Sequence, residues 1–177
     1  DNGARCTHDG VRMPAKIDFS TLTLMDTLDL AHLIEVEAFE RYTLFATQIG
    51  SGFSNDAGSV FQSMAENEKK HGDELAERRK TLFGDEPVRV RRDDIFDVEA
   101  PDVGAPHRYM SEFKAYQVAL QSEKKAFAFY DRALRSVKQP EVKALFEELR
   151  DEEAEHVRMV DEVELVALEQ REEGGAL

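Results

Sequence analysis

Two segments of the chain read Phe-x(6)-Glu-x-x-His, once as Phe61, Glu68 and His71 and again as Phe146, Glu153 and His156. Each follows a segment reading Glu-x-x-Ala-Phe-x-x-Tyr, first from Glu35 to Tyr42 and then from Glu123 to Tyr130. A shift of 88 positions lays the first Glu-to-Tyr segment on the second, and a shift of 85 does the same for the Phe-to-His segments. Patterns repeating in the same order at nearly one offset make the chain two copies of a helix pair, facing each other across a pseudo-twofold axis.

The apolar residues around these segments recur at spacings of three, four and seven, which is helical periodicity. It predicts helices over about Thr23 to Gln48, Asp56 to Phe83, Arg108 to Val137, and Pro140 to Glu172, the last opening on a proline suited to a first helical position. The expected core faces are Leu24, Leu28, Ala31, Ala38, Tyr42 and Phe45; Val60, Phe61, Met64, Ala65, Leu75 and Leu82; Phe113, Tyr116, Leu120, Phe127, Tyr130 and Leu134; and Val142, Leu145, Phe146, Leu149, Val160 and Val163. Helices of roughly 25 residues are ~37 Å long, the length of bundle helices. About seven residues join the first two helices and about three the last two, whereas about 24 residues, with three of the five prolines, join the second and third. Short links make antiparallel neighbours and a long one crosses the bundle. The expectation is therefore an all-α four-helix bundle with one long crossover between helices 2 and 3. The bundle should occupy residues 21–172, with residues 1–20 as an N-terminal segment outside the fold and 173–177 as a tail.

Six ionisable residues fall on these apolar faces: Glu35, Glu68, His71, Glu123, Glu153 and His156. Glu37, Glu40 and Arg41 fall on the opposite side of the first helix. An unpaired buried carboxylate costs several kcal/mol, so four together require protonation or a cationic partner. Four carboxylates and two imidazoles form the ligand set of two divalent ions, and residues three apart share a helix face, so each Glu-x-x-His gives one metal both donor types.

The remaining composition narrows the partners. A net charge of −14 argues against nucleic acid, and the single basic run, VRVRR at 88–92, precedes Asp93 and Asp94 and reads as a solvated loop. One cysteine, Cys6, excludes an internal disulfide framework and suits a reducing, cytoplasmic setting. No run approaches 18 apolar residues, so no membrane span is expected. The chain opens on Asp1 with Met13 as its first methionine, so the leading residues are set aside as an added or upstream fragment.

EVEAFERY at 35–42, AENEKKH at 65–71, SEKKAFAFY at 122–130 and DEEAEH at 151–156 together resemble the rubrerythrin branch of the ferritin-like di-iron proteins, over about residues 24 to 165. The resemblance implies a ferritin-like bundle in which Glu35 and Glu123 are terminal carboxylates, Glu68 and Glu153 bridging ones, and His71 and His156 nitrogen ligands. It also implies that Tyr42 and Tyr130 donate hydrogen bonds to metal-bound carboxylates, and that Asn67 and Glu152 accept from the second nitrogen of the opposite histidine. His8, His32 and His107 read as ordinary polar residues. Two departures stand out. The family usually places a second glutamate one turn after the third-helix ligand, but that position is Ala126 and its symmetry mate is Ala38. A rubredoxin-like four-cysteine module is also lacking, so electrons are expected from a separate protein.

Carboxylate-rich sites with one imidazole per metal favour two iron ions, with manganese or mixed pairs as alternatives. The activity that the resemblance implies is reduction of hydrogen peroxide by a di-iron oxidoreductase. The alternative is a ferroxidase that oxidises Fe(II) with dioxygen or peroxide for storage and detoxification, and a third reading is a metal-binding bundle with little turnover. The resemblance also tilts toward a homodimer.

Overall fold

The computed structural model describes residues 17–49, 57–95, 98–102, 104 and 109–174, with side chains described up to residue 163. Cys6, His8, Met13, His107 and the link at 50–56 lie outside the described residues. The described residues form four α-helices: α1 over Leu24–Ile49, α2 over Ala57–Phe83, α3 over Glu112–Leu134 and α4 over Pro140–Gly174. A short 3-10 turn, Arg92–Asp94, lies in the crossover. Among the described residues there is no strand, and no helix is long and apolar enough to cross a membrane.

Local chemistry sets the helix ends. At the start of α1 the Thr23 hydroxyl accepts from the Asp26 amide at 3.2 Å, while the Asp26 carboxylate accepts from the Thr23 amide at 3.1 Å, a reciprocal cap. Ser111 caps α3 by accepting from the Lys114 amide at 3.2 Å. That helix therefore begins four residues after the expected Arg108. It ends at Leu134, three residues before Val137, because the amides of Ser136 and Val137 both fold back onto the Ala133 carbonyl. Gly84, at φ +59°, ends α2 in the left-handed region that glycine tolerates best.

Each helix packs chiefly on its sequence neighbour, α1 on α2 and α3 on α4, and much less across the two hairpins. The apolar core is split into two clusters. One is built on Leu28, Ile34, Ala126, Phe129, Tyr130 and Phe146, the other on Ala38, Tyr42, Phe45, Phe61, Met64 and Ala119. The duplicated residues keep equivalent environments: Tyr42 stacks on Phe61 at 6.0 Å and Tyr130 lies tilted on Phe146 at 5.9 Å.

Three features differ from the sequence expectation. Ile17, Phe19 and Leu22 pack on the first cluster, with the Phe19 ring 5.5 Å from Phe129, so the packed chain begins before residue 21. Phe129 is buried where Phe127 is half-buried, and Leu82 and Val163 are exposed; beside Leu82, Phe83 takes the place against the core. Glu37 and Asp29 are buried. Glu37 pairs with Arg41 at 3.5 Å, and Arg41 in turn donates to the Pro101 carbonyl, so the crossover covers the side of α1 that periodicity leaves to solvent. Asp29 accepts from buried Arg79 at 2.9 Å, and Arg79 also donates to the carbonyls of Gly84 and Glu86, fixing the first bend of the crossover.

Candidate metal centre

The six acids and imidazoles converge midway along the bundle. Glu35, Glu68 and His71 offer ligand atoms all within 4.8 Å of one another, and so do Glu123, Glu153 and His156. The four carboxylates are buried, while the two histidines are half-buried. The imidazoles lie parallel at 8° with centroids 4.7 Å apart, as expected for the ends of two equivalent Glu-x-x-His motifs facing each other. Their pairing is less symmetric. His156 Nδ1 lies 3.3 Å from Glu123 and 3.5 Å from Glu153, whereas His71 Nδ1 lies 4.0 Å from Glu35.

Beneath this site α1 and α2 pass within van der Waals reach of each other at Gly72. A methyl group there would meet the Glu35 Cβ at 3.4 Å and the His32 ring at 3.6 Å. His32 Nδ1 makes a 2.9 Å hydrogen bond with the Gly72 carbonyl and so ties the two helices together, the ordinary polar role its sequence context suggests.

A seventh residue enters that the helical pattern does not reveal. Glu99, in the crossover, is 1 % exposed and offers a ligand atom within 4.8 Å of those of Glu35 and Glu153, and likewise of Glu68 and Glu123. Its signal in the sequence is slight: one acid within Val98-Glu99-Ala100-Pro101, a short apolar run.

The electrostatics record how much negative charge is crowded here. Burial, then the charges of Glu153 and Glu123, pushes the Glu35 carboxyl from its usual 4.5 up to about 8. Burial and neighbouring carboxylates raise Glu68, Glu99 and Glu153 well above the usual range. Burial works against a charge on His156, but the carboxylates of Glu123 and Glu153 beside its ring nitrogen outweigh it and push the ring up to about 11. His71, with burial and His156 both acting against its charge, is lowered. In the metal-free protein burial and crowding therefore favour the protonated forms of Glu35, Glu68, Glu99 and Glu153.

Buried atoms without hydrogen-bond partners test whether protons are the intended occupants. They include one oxygen each of Glu35, Glu68 and Glu153, both oxygens of Glu99 and of Glu123, and the hydroxyls of Tyr42 and Tyr130. Buried polar groups are ordinarily satisfied, so this concentration of orphaned acceptors at one point fits a cation pair. The tyrosines cross over: Tyr42 of α1 feels Glu123 and Glu68, and Tyr130 of α3 feels Glu35 and Glu153. Each hydroxyl thus lies within electrostatic reach of a glutamate from the opposite half, Glu123 for Tyr42 and Glu35 for Tyr130. Asn67 and Glu152, by contrast, are exposed and accept no hydrogen bond from either imidazole.

A cavity of about 200 Å³ reaches the site between α2 and α4, lined by Glu35, His71, Glu74, Arg78, Glu148 and Glu152 among others. Its rim is acidic, and Arg78 spans it to Glu148 at 2.7 Å.

The rubrerythrin family model matches residues 26–164, which include all seven residues of this site. The chain belongs to the rubrerythrin family. The solved structures agree with that membership. An uncharacterized conserved protein from Magnetospirillum magnetotacticum MS-1 is 30 % identical, with 80 % of this chain and 93 % of that one covered at a TM-score of 0.63. Two more distant structures share the fold. A dodecameric thioferritin, the bacterioferritin-related protein from Bacteroides fragilis, is 18 % identical, with 87 % and 90 % covered at a TM-score of 0.57. A hypothetical protein from Pyrococcus furiosus is 22 % identical, with 84 % and 92 % covered at 0.53. Among curated proteins none matches the sequence.

Proposed function

We propose that this rubrerythrin-family chain is a di-iron oxidoreductase that reduces hydrogen peroxide with electrons from an external donor protein. The observation that carries the reading is the set of buried carboxylates with orphaned oxygens, clustered with two imidazoles and reached at Glu35 and His71 by a cavity large enough for a small oxidant. In this reading Glu35 and Glu123 are terminal ligands, Glu68 and Glu153 bridge, and His71 and His156 supply the nitrogens. One peroxide takes up two electrons and two protons and leaves as two waters. A bound pair of reduced iron ions would supply the two electrons, to be replaced by the donor.

The protein's own residues set the conditions for that chemistry. The four glutamates neutralise the ions, and the apolar clusters on either side keep bulk water from competing for them. Tyr42 and Tyr130 hold protons at hydroxyls within electrostatic reach of the terminal carboxylates, orienting them by donation. Burial raises both hydroxyls well above their usual range, so they remain donors throughout.

One observation favours the alternative, a ferroxidase whose substrate is Fe(II). The rim of Glu74, Glu148 and Glu152 suits attraction of a cation more than of neutral peroxide. Stopped-flow mixing of the anaerobic chain, carrying two Fe(II), with peroxide or with air-saturated buffer separates the two. Faster oxidation by peroxide, with iron retained and reducible again, supports the peroxidase. Continued consumption of added Fe(II), with release of ferric product, would replace it with the ferroxidase. Absence of ferric absorbance with either oxidant rules out both.

A further inference from the structure

Glu99 is supplied by the crossover, outside the duplicated helices, and its placement differs from that of the other acids. The half-site triads each hold one histidine and take their members from a single repeat. The two triads containing Glu99, with Glu35 and Glu153 and with Glu68 and Glu123, hold no histidine and draw one acid from each repeat. Glu99 is thus within reach of acids from both copies, and the chain supplies it only once. The crossover is tied to α1 by the Arg41 donation to the Pro101 carbonyl at 2.7 Å and to α3 by the Lys125 donation to the Ala100 carbonyl at 2.9 Å. The histidines and the cavity belong to α2 and α4, so Glu99 approaches from the other side of the site.

A buried glutamate with a purely structural role ordinarily satisfies its oxygens with a backbone amide, a hydroxyl or a cation. Glu99 satisfies neither, although Arg41 and Lys125 both reach its segment; they donate to the backbone carbonyls of Pro101 and Ala100. In each of its two triads a Glu99 oxygen lies within 4.8 Å of ligand atoms of two of the four ligand carboxylates.

We propose that Glu99 is a seventh protein ligand, shared between the two metals and contributed by the crossover on the face opposite the histidines. This rests on the metal reading above. With Ala38 and Ala126 standing one turn after Glu35 and Glu123, the helices supply no further acid there, and the crossover supplies a single one for both halves. Glu99 adds a fifth negative charge beside two divalent ions and occupies positions that a molecule arriving through the cavity does not compete for.

Cobalt(II) tests this, because its visible absorption reports coordination number independently of turnover. The metal-free chain, Glu99→Gln, Glu99→Asp and Glu68→Gln are titrated anaerobically with cobalt, with helical content checked by circular dichroism. Wild type should bind two ions. Glu99→Gln should bind them at least about tenfold more weakly, with more intense absorption from a lower coordination number, and Glu99→Asp should recover part of both. Two ions at wild-type affinity and with the wild-type spectrum in Glu99→Gln would overturn the proposal while leaving the six-ligand reading intact. That reading fails separately if Glu68→Gln keeps both ions at full affinity, or if wild type binds no pair, which also removes the basis for Glu99. Should Glu99→Gln not fold, the Glu99→Asp spectrum decides: unchanged from wild type, it sinks the shared-ligand role.

Discussion

Stripped of metal, the protein should become less stable as pH rises, opposite to the trend of a protein held by carboxylate salt bridges. Glu35 keeps its proton in the folded chain up to about 8, against 4.5 in the unfolded chain, because burial and the nearby acids penalise its charge. Between those values the native state binds more protons than the unfolded one, so unfolding free energy falls with pH. The contribution is complete below about 4.5 and is lost on passing through 8. At about 1.4 kcal/mol per unit, Glu35 alone amounts to about 5 kcal/mol over that interval, comparable to the whole stability of a marginal domain. Glu68, Glu99 and Glu153, raised for the same reason, add to the slope. His156 acts in the same sense: held up to about 11 against 6.5, it contributes fully below 6.5 and loses its contribution as pH climbs toward 11. Urea unfolding of the chelator-treated chain at pH 5, 6, 7 and 8, followed by circular dichroism, measures the slope directly. Glu35→Gln should flatten it by about 1.4 kcal/mol per unit, and saturating divalent metal should reverse it, since metal replaces the protons. A metal-free stability that is constant or increases over this range would falsify the assignment of protons to these acids.

Other substitutions separate the site from its scaffold. Glu68→Ala or Glu153→Ala should abolish binding of both metals if each carboxylate bridges, whereas Glu35→Ala and Glu123→Ala should weaken binding to similar degrees; isothermal titration reads both, and a large inequality in the second pair refutes equivalent halves. Asp29→Ala leaves the buried Arg79 charge without its carboxylate, with only the Gly84 and Glu86 carbonyls to accept from it, and should cost about 3–5 kcal/mol in urea unfolding while metal stoichiometry stays at the wild-type value; a loss below about 1 kcal/mol would mean the pair is solvated. Tyr42→Phe and Tyr130→Phe remove hydroxyls that lack partners in the metal-free chain, so its stability should hold or rise by about 1 kcal/mol, while metal affinity drops about tenfold. Equal effects on both forms would refute a role tied to the metal.

The parts legible in the sequence are those governed by periodicity and duplication. Four helices, the long crossover and six converging residues follow from apolar spacing and from two patterns that occur twice. The repeat explains why Glu35 and Glu123 occupy equivalent places, and why Phe61 and Phe146 meet Tyr42 and Tyr130 in matching ways. Glu99 escapes both kinds of signal, because it sits in non-helical backbone with no period and exists in one copy. Glu37 and Asp29 read as solvent-facing or unremarked positions because helical periodicity considers one element at a time; the crossover that covers α1 beside Glu37, and the Arg79 that reaches Asp29 from α2, are tertiary facts. The helix ends shift by a few residues where caps such as Ser111 outrank hydrophobic spacing.

The sparse packing between the two hairpins has a mechanical implication. Each hairpin is a leaf with its own internal cohesion, and midway along the seam between the leaves, flanked by the two apolar clusters, lies a group of crowded acids. An ion pair gripped from both sides then acts as the hinge pin that keeps the leaves closed. Without it the seam is the weakest line in the molecule, and amide hydrogens facing the seam should exchange as one cooperative unit, ahead of those inside either leaf.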